Sequence, residues 1–208
     1  MYYGEKFNSI THLIGAVLAL VGLGALITLS IQQNNPRLIA SFSVFGFTLV
    51  LLYSASTLYH SFKPPRLKRF FQKLDHVSIY LLIAGTYTPY MLVSLYDHGG
   101  LILLTWVWAL ALIGILLDIF STTRNETLQV GIYLLMGWTC VVKFSELQTA
   151  ISSPGIIWLT LGGAAYTLGV IFYVLDHLEK LKHAHGIWHV FVLVGSTCHF
   201  VSIACFVR

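Results

Sequence analysis

"HAHGIWHVFVLVGSTCHFVSIACFVR", residues 183–208, opens with three histidines in seven residues and then carries no Asp, Glu, Lys or Arg until Arg208. A helix needs about 20 apolar residues to cross the hydrocarbon core of a bilayer, and this run supplies them. Polar and ionisable groups are costly at membrane depth and mark function when they are found there. Histidines at the mouth of such a run therefore carry information about both the fold and the chemistry.

Working outward, six further stretches have the same character, and together they predict an all-α, seven-transmembrane helix bundle. The expected spans are roughly 9–31, 38–62, 75–95, 101–120, 127–148, 155–175 and 185–207. The connections between them, "QQNNPR", "KPPRLKRFFQK", "YDHGG", "STTRNE", "TAISSP" and "DHLEKLKH", are short and polar, which leaves residues 1–208 as one integral membrane domain. Composition agrees. The chain is 57% hydrophobic and 10% charged, with mean hydropathy +0.79; soluble domains carry about 25% charged residues. "MYYGEKFNSITH" has no basic leader or small-residue cleavage site, so the first run reads as a retained span. Cys140, Cys198 and Cys205 all lie inside apolar runs and read as small buried hydrophobes rather than a disulfide framework.

Lys and Arg set the expected orientation. With the N-terminus in the cytoplasm, Lys6, Lys63, Arg66, Lys68, Arg69, Lys73, Arg124, Lys180 and Lys182 fall inside, whereas only Arg37 and Arg208 fall outside. Lys143 is free to snorkel from the outer end of the fifth span. An odd number of spans then puts the C-terminus outside. The net charge of +4 reflects this distribution and does not indicate nucleic-acid binding. "KPPRLKRFFQK" obeys the positive-inside rule, with a lipid-headgroup site as the alternative.

Spacing and topology pick out the candidate site. Ser56 and His60 are four residues apart and share a helix face, as do His185 and His189, which are about 6 Å apart along their axis. His183 points elsewhere. The second span ends inside, and the third and seventh begin there, so His60, Asp75, His185 and His189 are brought to one membrane depth. Neutral imidazoles are preferred zinc ligands, and three protein ligands leave an open position for water. The expected metal ligands are thus His60, His185 and His189, with Zn2+ as the cofactor. Asp75 is expected to orient and deprotonate the water, with direct coordination as the lesser option, and Ser56 to hydrogen-bond the water or a substrate carbonyl. Tyr53, Thr86, Ser196 and His199 fall near the same helix faces, deeper in the membrane. They read either as lining of a cavity that extends from the metal or as ordinary interhelical hydrogen bonding. His12, one turn after Asn8, reads as a histidine hydrogen-bonded between helices. Pro89 is expected to kink the third span.

"NSITHLIGA", "SASTLYH", "KLDHVSIYLLIAGTYTPY" and "HGIWHVFVLVGSTCHF" together resemble the hemolysin III family, the bacterial branch of the progestin and adiponectin receptor (PAQR) family. The resemblance runs from the first span to the last. It implies seven helices, a cytoplasmic N-terminus and a zinc ion near the inner face, held by His60, His185 and His189 with Asp75 contacting it through water. The wider superfamily includes alkaline ceramidases, which implies hydrolysis of a lipid amide. Bacterial members are linked to membrane lipid homeostasis, and the family name records haemolysis. The short stretch before "NSITH" departs from the long N-terminal segment of the receptors and predicts no signalling domain there.

The expectation is a zinc-dependent membrane hydrolase of a lipid amide or ester, with membrane lipid as substrate or ligand, in a bacterial plasma membrane. A non-enzymatic sensor with structural zinc would need a closed site with four protein ligands. A pore or cytolysin would need polar lining through its full depth, whereas the polar groups gather at one end. A transporter would need acidic groups near the midplane. A bis-histidine haem site would colour the protein. Nothing in the sequence sets the oligomeric state.

Overall fold

The computed structural model describes residues 4–121 and 125–208. Arg124, one of the residues counted for the orientation, lies outside them. Among the described residues there are helices and turns but no strand, and seven helical spans are long and apolar enough to cross a membrane. In chain order the helices are α1 (Lys6–Gln32), α2 (Pro36–Ser61), α3 (Pro65–Pro89), α4 (Gly100–Phe120), α5 (Glu126–Trp138), α6 (Phe144–Ala150), α7 (Ser153–His177) and α8 (Ala184–Phe206). The short α5 and α6 together form the fifth span. The all-α, seven-span architecture is the one expected.

Local chemistry sets the joints. α1 gives way to Gln33 and Asn34, and the φ of 50° at Asn34 is left-handed. The side chain of Asn35 then accepts from the N–H groups of Arg37 and Leu38, at 3.0 and 3.4 Å, and Pro36 occupies the first turn of α2. Past Pro89 the hydrogen bonding widens into a π-helical turn over Tyr90–Ser94, closed by the Leu95 N–H on the Tyr90 carbonyl at 2.9 Å.

Two spans differ from the sequence reading. "RLKRFFQK", expected as a loop, is helical, because Pro65 starts α3 and good helix formers without glycine follow. Asp75 therefore lies about three turns into α3, at 3.6 residues per turn, and not in its first turn. The fifth span is interrupted at Thr139–Lys143 by a 3-10 segment. The cause is Tyr87 of α3. Its hydroxyl accepts from the Cys140 N–H at 2.7 Å and reaches the carbonyls of Met136 and Gly137, each at 2.8 Å. It thereby takes the place of a helical hydrogen bond, and a side chain inserted into the ladder breaks it.

The core includes Phe42, Phe45 and Leu49 of α2 and Tyr80 and Leu82 of α3. Small residues let these helices approach closely. A Cβ on Gly85 would collide with the Thr48 hydroxyl, and one on Gly15 would stand 2.6 Å from the Tyr53 ring. Gly85→Leu should therefore destabilise the bundle by about 1–3 kcal/mol, the usual cost of overpacking, measurable as a shift in the detergent-unfolding midpoint. Large hydrophobics such as Val21, Ile102 and Val142 are exposed on the outer surface. That surface suits lipid, not water.

Candidate metal centre

Three helix ends meet at one end of the bundle. His60 is the last residue but one of α2, and the chain turns extended at Phe62 before Pro64 and Pro65. His185 and His189 lie one turn apart near the start of α8. Their ring centroids form a close triangle, with His60 5.1 Å from His185 and 5.0 Å from His189, and the latter two 4.7 Å apart. One ligand atom from each lies within 4.8 Å of those of the other two, and among the described residues this is the group that could hold a metal ion. His60 and His189 are buried and His185 is partly so. His183 precedes α8 in a left-handed conformation, φ 64°, and is exposed, apart from the triad.

Each imidazole is held from behind. His60 Nδ1 is 2.7 Å from Glu5 Oε2, His185 Nδ1 is 3.0 Å from Asp176 Oδ2, and His189 Nδ1 is 3.1 Å from the Asn8 carbonyl and 3.3 Å from Thr11 Oγ1. Carboxylates and carbonyls accept, so Nδ1 donates in each ring and Nε2 remains for a ligand. Consistent with this, His60 Nε2 is buried with no hydrogen-bond partner among the described residues. A buried polar atom without a partner is costly and requires a reason. Three imidazoles, each backed by an acceptor, fit a metal that takes nitrogen ligands. The His60 bond, helped by Lys68 and Asn8, holds the Glu5 carboxyl well below the usual carboxylate range despite its partial burial.

The cavity beside the triad measures about 790 Å³ and is mostly apolar. Every span except the fourth contributes to its wall. It runs from His185 to His199 on α8, about 21 Å along the helix axis. Half a bilayer, headgroup region included, is about 20 Å thick, so the cavity is about as long as one leaflet is deep.

Asp75 and Ser56 both line this cavity and both are buried. Ser56 Oγ has no hydrogen-bond partner among the described residues. Thr86 and His199 also line it; the Thr86 hydroxyl is taken by the Leu82 carbonyl at 2.7 Å, and His199 Nε2 by the Leu159 carbonyl at 3.2 Å. Tyr53 and Ser196, considered for the cavity wall, instead bond to each other at 2.7 Å, and Tyr166 joins them from α7 at 2.6 Å. This is interhelical packing. His12 departs from expectation too. It stacks on His189, with centroids 3.6 Å apart, and neither of its nitrogens has a hydrogen-bond partner among the described residues. It lines the cavity and meets α8 through this stack, not through a hydrogen bond.

Sequence reasoning missed Glu5, Asp176 and the placement of His12. One signal was present: Glu5, Asn8 and His12 are three and four residues apart, the spacing of one helix face.

The family described as "Haemolysin-III related" matches residues 2–200. Hemolysin-3 of Bacillus cereus is 40% identical over 203 residues, covering 98% of this chain and 91% of that protein. A Hemolysin-3 homolog of Bacillus subtilis (strain 168) is 41% identical over 199 residues, covering 96% and 92%. The adiponectin receptor protein of Drosophila melanogaster is 26% identical over 223 residues, covering 96% of this chain and 50% of the receptor.

Proposed function

Because the chain belongs to the haemolysin III family, and is a multi-pass membrane protein, we propose that its histidine triad holds zinc and that the site hydrolyses a lipid amide or ester. One observation carries this reading: three imidazoles, each with Nδ1 bonded to an acceptor, converge at the head of a leaflet-deep apolar cavity. His60, His185 and His189 would hold the ion through Nε2. A zinc ion bound there would supply Lewis acidity, polarising an acyl carbonyl and bringing the pKa of a water to about 7.

The protein's own groups do the rest. The apolar cavity takes the acyl chain and excludes water from it. The Ser56 hydroxyl donates to the substrate carbonyl. Asp75 accepts a proton from water as its oxygen attacks the carbonyl carbon, then returns it to the amine or alcohol when the carbon–nitrogen or carbon–oxygen bond breaks. Among the described residues the group holds three histidines and no fourth protein ligand, which favours this open arrangement over a closed structural site. Lys63, Arg66 and Arg69 flank the triad's end of the bundle, which supports orienting that end toward the cytoplasm of a bacterial plasma membrane.

The test is release of labelled fatty acid from a panel of lipid amides and esters by purified, zinc-replete protein. Turnover that a chelator abolishes and zinc restores supports the reading. Full zinc occupancy without turnover of any member sinks the hydrolase and leaves the metal site standing.

A further inference from the structure

The first turn of α1 and the residue before it touch two of the three triad histidines, although those histidines belong to different helices. Glu5 Oε2 accepts from His60 Nδ1 of α2 at 2.7 Å, and the Asn8 carbonyl accepts from His189 Nδ1 of α8 at 3.1 Å. Glu5 is itself fixed from two sides. Asn8 Nδ2 donates to the same oxygen at 3.0 Å, and Lys68 Nζ of α3 donates to Oε1 at 3.1 Å. We propose that this N-terminal turn is a working part of the metal centre, with Glu5 as the positioning residue that sets how His60 meets the metal. The proposal rests on the metal-site reading above.

The physical case has three parts. First, a carboxylate on Nδ1–H fixes the tautomer, so that Nε2 carries the lone pair. Second, the hydrogen bond fixes the orientation of the His60 ring, which lies at a helix end just before an extended turn. Third, charge must be balanced. A divalent ion on three neutral imidazoles leaves a buried double positive charge; Glu5 behind His60 and Asp176 behind His185 supply two negative charges to offset it. The plainer role, an ion pair between Glu5 and Lys68 that merely pins the N-terminus, is weak by comparison. Both partners are partly exposed, and such pairs contribute little.

The two roles separate by measurement on the full-length protein in detergent. Zinc affinity is read by competition with a chromophoric chelator, ligand geometry by the visible absorption of the cobalt-substituted form, and folding by the melting curve of the metal-free form. Glu5→Ala should weaken zinc binding about 10–100-fold, the usual cost of removing an outer partner of a ligating histidine, and alter the cobalt spectrum. Glu5→Gln keeps a carbonyl acceptor for Nδ1–H without the charge and should recover part of the affinity. Lys68→Met, which cuts the ion pair and leaves the His60 bond, should bind zinc much as the parent does. The metal-free melting curves should coincide. Parental affinity and spectrum in Glu5→Ala would overturn the proposal, as would equal losses in Glu5→Ala and Lys68→Met. If Glu5→Ala fails to fold, Glu5→Gln beside Lys68→Met still decides. A parent protein that binds no zinc would remove the metal-site reading and this one with it.

Discussion

His60→Ala and His189→Ala should each reduce bound zinc from about one per chain, the stoichiometry of a single three-histidine site, to background. Losing only an outer partner of a ligand costs about 10–100-fold in metal affinity, so losing a ligand costs more. The two residues sit on α2 and α8, far apart in the chain, and their rings lie 5.0 Å apart. Equal loss in both variants would therefore tie two helices to one ion. His183→Ala is the control. It removes an exposed histidine two residues from His185 and should leave zinc in place. Elemental mass spectrometry of detergent-purified protein gives the answer directly. Retention of zinc in either ligand variant would send the triad back to interhelical packing.

Asp75→Asn should separate chemistry from metal binding. Asparagine matches aspartate in size and fills the same place on the cavity wall, but it cannot accept the proton. A positioned general base contributes about 10²–10⁴-fold to rate, and kcat should fall by that factor while the zinc content holds. Single-turnover hydrolysis beside metal analysis reads both. Turnover at the parental rate would remove Asp75 from proton transfer. Loss of zinc together with activity would make Asp75 a ligand and the site a closed one.

The grouping of His60, His185 and His189 was legible in the sequence because two local rules coincided. His185 and His189 share a helix face by spacing alone, and counting spans brought His60 to their depth. The partners behind those histidines were not legible. Pairing Glu5 with His60 needs the relative rotation of α1 and α2, which no local pattern encodes. The start of α3 was missed for another reason: hydropathy marks where a helix enters lipid, not where helical hydrogen bonding begins, and the polar "RLKRFFQK" is helical by propensity. The break in the fifth span was invisible because its cause, Tyr87, comes from a different helix.

That early start of α3 has a kinetic consequence. The third span runs Pro65–Ser94, 30 residues. It is thus about 45 Å long against a hydrocarbon core of about 30 Å. Asp75 comes about 15 Å along it, a distance equal to the excess of the span over the core. Bilayer lipids carry their acyl carbonyls at the edge of the hydrocarbon core, so on the hydrolase reading proposed above a substrate would meet the site by sideways diffusion without being lifted from its leaflet. The concentration governing that proposed reaction would be a mole fraction in the surface, not a molarity in the buffer. Diluting the substrate with inert detergent at constant total amount should slow hydrolysis, whereas adding buffer to the same mixed micelles should leave the rate per enzyme unchanged.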